Sequence, residues 1–168
     1  MGFFIGPTNV ADQTAALGIY ASVNKFVTTN QDVTNSSTLT DSTDLQVSLA
    51  ANATYDFHTL ELIGSSSPTS AGAKTKIVYT GTATWYGIRR RDSSTNAEPI
   101  NVSPTWGGSA EVVDGQINDQ KSVIGERYGR IVTTTAGTLK IQFAQNTAVS
   151  GHYARLLVGS FIRIQRVA

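Results

Sequence analysis

The chain has 168 residues, 40 % hydrophobic and 15 % charged, which is enough for one domain with a buried core and is not a disordered composition. A formal net charge of +1 leaves no concentrated basic face of the kind that nucleic-acid binding by counterion release requires. The absence of cysteine excludes disulfide frameworks, thiolate zinc sites and cysteine nucleophiles.

The opening "MGFFIGPTNVAD" has no basic leader region, and its apolar run is too short for a signal segment. Gly6 stands where a myristoylation motif needs Ser or Thr. No window approaches the roughly 20 apolar residues of a membrane helix, so a soluble chain is expected. Residues 1 to 28 are mildly apolar and irregular, and "DQTAALGIYASV" fits either a short helix capped by Asp12 or an extended segment. "TTNQDVTNSSTLTDSTD", residues 28 to 44, is almost wholly polar and rich in turn-formers, which predicts a loop or linker. The expected organisation is an N-terminal extended arm with a polar linker, residues 1–43, and a β-domain over residues 44–168.

From Leu45 strand signals follow closely. "LQVSL" alternates with Leu45, Val47 and Leu49 inward. A turn at "ANATY" leads into "YDFHTLELIG", with Tyr55 and Phe57 on one face and Leu60 and Leu62 on the other. "KTKIVYTGTATWYGI" follows a Ser/Pro/Gly loop, and "RRRDSSTNAEP" reads as a charged hairpin tip. After a weaker region through Trp106 come "KSVIGERYGRIVTTT", "TLKIQFAQN" and "YARLLVGSFIRIQRV". In "TLKIQFAQN", Leu139, Ile141 and Phe143 point one way and Lys140, Gln142 and Ala144 the other, a half-buried strand. Eight or so short strands with turn residues between them predict an antiparallel sandwich or barrel, with no βαβ alternation. The stretch from Tyr153 to Ile164 is apolar on both faces, which suggests a second covered face, most simply a neighbouring subunit.

Reactive constellations are sparse. His58 and His152 lack metal-ligand spacing, so no metal is expected; His58 reads as a satisfied, partly buried histidine and His152 as exposed. No G-x-S-x-G elbow occurs. Strand parity separates Asp56 from Glu61, which spoils that carboxylate pair, and Glu111 and Asp114 read as solvated. Arg89, Arg90 and Arg91, with Trp85 and Tyr86 beside them, are candidate contacts for a partner or a glycan, through charge and ring stacking. The plainer alternative for them is a solvated tip over packed tryptophans. Phe3, Phe4 and Ile5 form an apolar cluster that water disfavours and that is expected to dock on a surface, with Tyr20 a further contact candidate. No catalytic residue and no cofactor is expected.

Residues 44 to 168 resemble a class of tailed-bacteriophage virion proteins. The resemblance rests on "DSTDLQVSLAANATYDFHTLELI", similar to an aspartate-led pair of strands around an "aAnttY.f" turn, on "GRIVTTTAGTLKIQFAQN", similar to an "aGtltlqwaQn" hairpin, and on "LLVGSFIRIQRVA", similar to a closing "v.aGSyl.v.rv" strand. Lys74 to Glu126 match only in rhythm, and Phe143 stands where the family often has Trp. The resemblance implies an all-β, antiparallel jelly-roll β-sandwich, usually a homotrimer, displayed on the particle as a head decoration (cement) protein, head fibre or tail-associated protein. The region of 43 residues before the domain is too short for a fibre shaft and favours the decoration protein. The expected partners are then the major capsid protein and further copies of the chain, with no nucleic acid and no membrane. The expected place is the capsid surface of a virion made in a bacterial cytoplasm. The alternative is a receptor- or glycan-binding fibre module; an enzyme is not expected.

Overall fold

A computed structural model of the chain describes residues 22–67, 70–93, 96–97, 101–103, 111–113 and 123–168. All regular structure among them is β-strand. In chain order the strands are β1 (Ser22–Phe26), β2 (Gln31–Thr34), β3 (Thr40–Leu49), β4 (Ala53–Ser65), β5 (Ala73–Tyr79), β6 (Ala83–Ser93) and β7 (Asn96–Ala97). They continue with β8 (Asn101–Ser103), β9 (Glu111–Val113), β10 (Val123–Thr133), β11 (Gly137–Ala144), β12 (Tyr153–Leu156) and β13 (Phe161–Arg166).

Every pairing is antiparallel, and the strands form two sheets. The larger, nine-stranded sheet runs β1-β13-β4-β10-β6-β7, with β12 joining β4 to β2 and β8 flanking β6. The smaller runs β3-β11-β5-β9. Consecutive strands β3 and β4 lie in different sheets, so the expected turn at Ala50–Asn52 is a corner between layers, with Asn52 at φ 49°. Asn tolerates that left-handed conformation better than most residues.

Period-2 alternation sends one row of each strand into a shared core. Tyr55, Phe57, Ile63, Ile131, Ile162 and Ile164 come from the larger sheet; Leu45, Val47, Leu49, Ile77, Leu139, Ile141 and Phe143 come from the smaller. Each such side chain contributes roughly 1.5–3 kcal/mol relative to staying in water. The inward rows expected for "LQVSL" and "TLKIQF" are the observed ones, and β11 is an interior strand between β3 and β5.

The loop or linker expected over residues 28 to 44 is corrected. β2 and the first half of β3 occupy it, and β1 precedes it, paired to β13 from Ser22↔Gln165 to Phe26↔Phe161. The folded body therefore includes residues from Ser22 onward and does not begin at Leu45. These strands escape a hydrophobicity reading because they lie at edges and bury little: only Val33 in β2 is buried. In β3 the buried polar Ser42 is satisfied by the backbone N–H of Leu45, 3.2 Å away. Expectations for residues 1–21, including the short helix, lie outside the described residues.

Asp44 ties this region together. Its Oδ2 accepts the Thr28 N–H at 3.0 Å, and its Oδ1 accepts the Thr43 hydroxyl at 3.3 Å. The Thr28 backbone N–H is the main reason its carboxyl lies below the ordinary 3.8; slight burial opposes this, and side-chain hydrogen bonds from Thr43, Thr28 and Gln31 support it. A depressed folded-state pKa gives stability that is full above the unfolded-state value and is lost as pH falls through the folded one. Asp44→Asn is expected to lower the melting temperature at neutral pH and to flatten its decline below about pH 4. An unchanged acid limb in a melting-temperature-against-pH series would exclude this tie.

Candidate functional site

The outward face of the nine-stranded sheet is built from the residues that alternate with the core rows. Register places them in cross-strand rows. Tyr86, Arg130, Asp56, Gln165 and Ser22 form one row across β6, β10, β4, β13 and β1. Ile88, Tyr128, His58, Arg163 and Asn24 form the next, and Glu126, Leu60, Phe161 and Phe26 a third. Antiparallel sheets with one solvated face ordinarily make that face polar. Here Phe26, Tyr86, Ile88, Tyr128 and Val132 are all exposed, Tyr86 by 55 % and Phe26 by 52 %.

The rings touch in sequence. Phe26 and Phe161 have centroids 6.0 Å apart, Phe161 meets His58 edge-on at 4.9 Å, and His58 stacks on Tyr128 at 4.2 Å. The charges between them are paired along the surface. Arg130 holds Asp56 with both arms, Nε to Oδ1 at 2.6 Å and Nη2 to Oδ2 at 3.0 Å. Glu126 Oε1 lies 3.0 Å from His58 Nε2 and accepts the Tyr128 hydroxyl. Arg163 Nε donates to Asn24 Oδ1 at 2.9 Å. Lateral pairing directs these charged groups to one another along an aromatic face. A shallow open groove of about 620 Å³ runs between Tyr86 and Ile88 on one side and Tyr128, Arg130 and Asp56 on the other.

The smaller sheet is different in kind. Its outward positions on β3, β11 and β5 are Gln46, Ser48, Thr138, Lys140, Gln142, Lys74 and Lys76, with Val78 the apolar exception. Asp41 binds Lys140 Nζ at 2.6 Å and Gln142 Nε2 at 2.7 Å. That face is polar, and of these residues all but Ser48 are half-buried.

Under the aromatic face lies a buried ion pair. Glu61 is 0 % exposed and Arg127 is 2 % exposed. Arg127 donates to Glu61 Oε1 and, through Nη2, to Thr75 Oγ1 in the opposite sheet at 2.8 Å; Thr59 also donates to Glu61 Oε1, at 2.9 Å. The pair is sealed from solvent, so it acts as a polar tie between layers.

No protein-family model, no curated protein and no solved structure matches this chain. Among the described residues no group of three or more His, Cys, Asp or Glu could hold a metal ion, and no helix is long and apolar enough to cross a membrane.

Of the residues singled out from the sequence, Tyr86 stands on the outward face beside the groove. Trp85 does not, and its candidacy as a surface contact is corrected. It is 8 % exposed and packs edge-on against Phe57 at 6.0 Å and Tyr79 at 6.3 Å. Two adjacent aromatics in a strand must face opposite ways, and register assigns Trp85 to the core. Arg89, Arg90 and Arg91 are not at a hairpin tip either. They continue β6, opposite Arg127, Glu126 and Gly125 of β10, because a strand paired along its length tolerates charges that read as a turn in isolation. Their side chains lie outside the described residues, as do Phe3, Phe4, Ile5 and Tyr20.

His58 is half-buried and satisfied, as expected. His152 is half-buried rather than exposed, with Nδ1 3.2 Å from Ser66 Oγ. Asp56 and Glu61 do face opposite ways. Sequence reasoning missed Tyr128, Arg130, Phe161 and Phe26. The one cue was parity in "ERYGRIV", where Glu126, Tyr128 and Arg130 alternate with a row ending in Ile131.

Proposed function

We propose that the chain is a structural virion protein, a head decoration (cement) protein with a jelly-roll β-sandwich body that binds the assembled capsid surface and stabilises it. The observation that carries this reading is the asymmetry of the two sheets: an exposed aromatic face on one, a hydrophilic face on the other, over a buried core. Such a body offers contact area, and the fully buried Glu61–Arg127 pair has no access to a substrate. The resemblance to phage virion proteins supplies the particle. Its motif residues occupy the strands that build the fold, "AGTLKIQFAQN" on β11 and "SFIRIQRV" on β13.

On this reading an N-terminal arm carrying Phe3, Phe4, Ile5 and Tyr20 anchors the protein to the major capsid protein. Modest affinity per arm is multiplied by three linked copies in a homotrimer. Binding only the assembled shell stabilises that shell by mass action. Co-sedimentation with undecorated, expanded heads and, separately, with purified tails tests it. Saturable binding to heads alone at a fixed ratio to the capsid subunit is the expected result, and deletion of residues 1 to 20 is expected to abolish it while leaving the oligomer folded. Full decoration by the truncated protein would end the arm's role; no binding to heads would end the cement reading.

The second reading, a glycan-binding fibre module, is favoured by the exposed Tyr86 and Tyr128 rings bordering the groove. Against it, both Asp56 oxygens already accept from Arg130, and the Tyr128 hydroxyl is directed to Glu126 rather than outward. Selective retention on a glycan array would reverse this order.

A further inference from the structure

We propose that the aromatic face of the nine-stranded sheet is the surface through which copies of this chain meet, with Tyr128 and Phe26 among its anchors. The inference deepens the proposed function by assigning its self-association to particular residues, and it rests on that reading only for the expectation that an oligomer forms.

Three observations lead to a second copy as the occupant. The first is apolar content in one place: Phe26, Phe161, Tyr128, Ile88 and Tyr86 span five strands of one sheet, while the opposite sheet presents lysines and glutamines. Aromatic residues on a flat sheet face are the composition of an interface core.

The second is charge. Among the described side chains of this face, Arg130 and Arg163 balance Asp56 and Glu126, and each makes a polar contact along the surface. A net-charged face repels its own copy, whereas the four described charges of this one sum to zero. Its paired charges also lose less on desolvation than unpaired ones would. A sugar ligand would instead draw on outward-directed donors and acceptors, and the charged groups of this face are directed to one another.

The third is extent. Five strands about 4.8 Å apart and three rows about 7 Å apart cover roughly 20 by 14 Å. That footprint is the size of an interface core, around which further surface of the same sheet must join to reach the roughly 800 Å² per partner of a standard stable interface.

The test uses the full chain in sedimentation equilibrium at several concentrations, with Tyr128→Glu and Phe26→Glu on this face and Lys76→Glu on the opposite sheet as control. Both face substitutions sit at exposed positions, and circular dichroism melts establish that each variant folds. The wild type and Lys76→Glu are expected to form the same discrete oligomer. Tyr128→Glu and Phe26→Glu are each expected to weaken association at least about 30-fold, the loss typical of an interface anchor. A monomeric wild type overturns the proposal, and so do two folded face variants that associate like the wild type. If the wild type is monomeric but Tyr128→Glu loses binding to heads, the face belongs to the capsid protein; if it is monomeric and selectively retained on glycans, the face is a sugar site. An oligomer that dissociates as expected yet never binds heads leaves this proposal standing and ends the cement reading alone.

Discussion

Glu61→Leu, with Arg127 left in place, is expected to destabilise the protein by about 3–5 kcal/mol. The variant takes the Glu61 carboxylate away from a guanidinium that is 2 % exposed. Glu61 Oε1 receives both Arg127 and Thr59, while its Oε2 is buried with no hydrogen-bond partner among the described residues. The carboxylate thus depends on one oxygen's contacts, and the guanidinium draws on that oxygen as well as on Thr75. Removing both charges has a different outcome. Glu61→Leu combined with Arg127→Met is expected to recover most of the loss, because well-packed apolar residues replace a buried pair at little or no net cost. Urea denaturation of the two single variants and the double variant gives the coupling energy directly. Single variants that lose less than about 1 kcal/mol would show that the pair is hydrated and does not tie the sheets.

The second large effect concerns Gly129. A Cβ there would stand 2.4 Å from the Tyr86 carbonyl oxygen and 2.6 Å from Phe57 Cζ. The glycine faces the core opposite Gly87 and Phe57, and the missing side chain is what lets the Phe57 ring lie against the sheet and meet Trp85 edge-on. Gly129→Ala must push a backbone oxygen or a packed ring aside, at an expected cost of about 1–3 kcal/mol. Gly125, in the same strand, is the control. A Cβ at that position meets its nearest atom at 3.6 Å, an ordinary contact, so Gly125→Ala should change stability little. Melting temperature and the near-ultraviolet aromatic signal, to which Trp85 contributes, read both variants. If Gly129→Ala melts with the wild type, the Phe57 ring does not occupy this place.

Much of the architecture was legible because alternation is a local property. The inward rows of β3 and β11 follow from side chains pointing to opposite faces at successive residues, whatever the strand pairs with. Antiparallel, all-β character follows likewise from short alternating runs between turn residues. The polar strand β2 and the start of β3 were not legible. An edge strand with one buried residue has no hydrophobic rhythm, and its identity comes from the backbone partner, β12 for β2 and β11 for β3.

The candidate site shows the same division. By itself the sequence determined which residues share a strand face: Tyr86 opposite in sense to Trp85, Asp56 opposite to Glu61, and Tyr128 on one side with Glu126 and Arg130. It left open which side was the core, since Trp85-Tyr86 is aromatic both ways and Arg127 is charged yet buried. Tertiary structure alone decided that, and it alone brought Phe26, Phe161, His58 and Tyr128 into one series of neighbouring rings from four separate strands. The reason is range. A side chain's direction is set by its own backbone, but the sign of a face and the neighbours on it depend on register with strands tens of residues away.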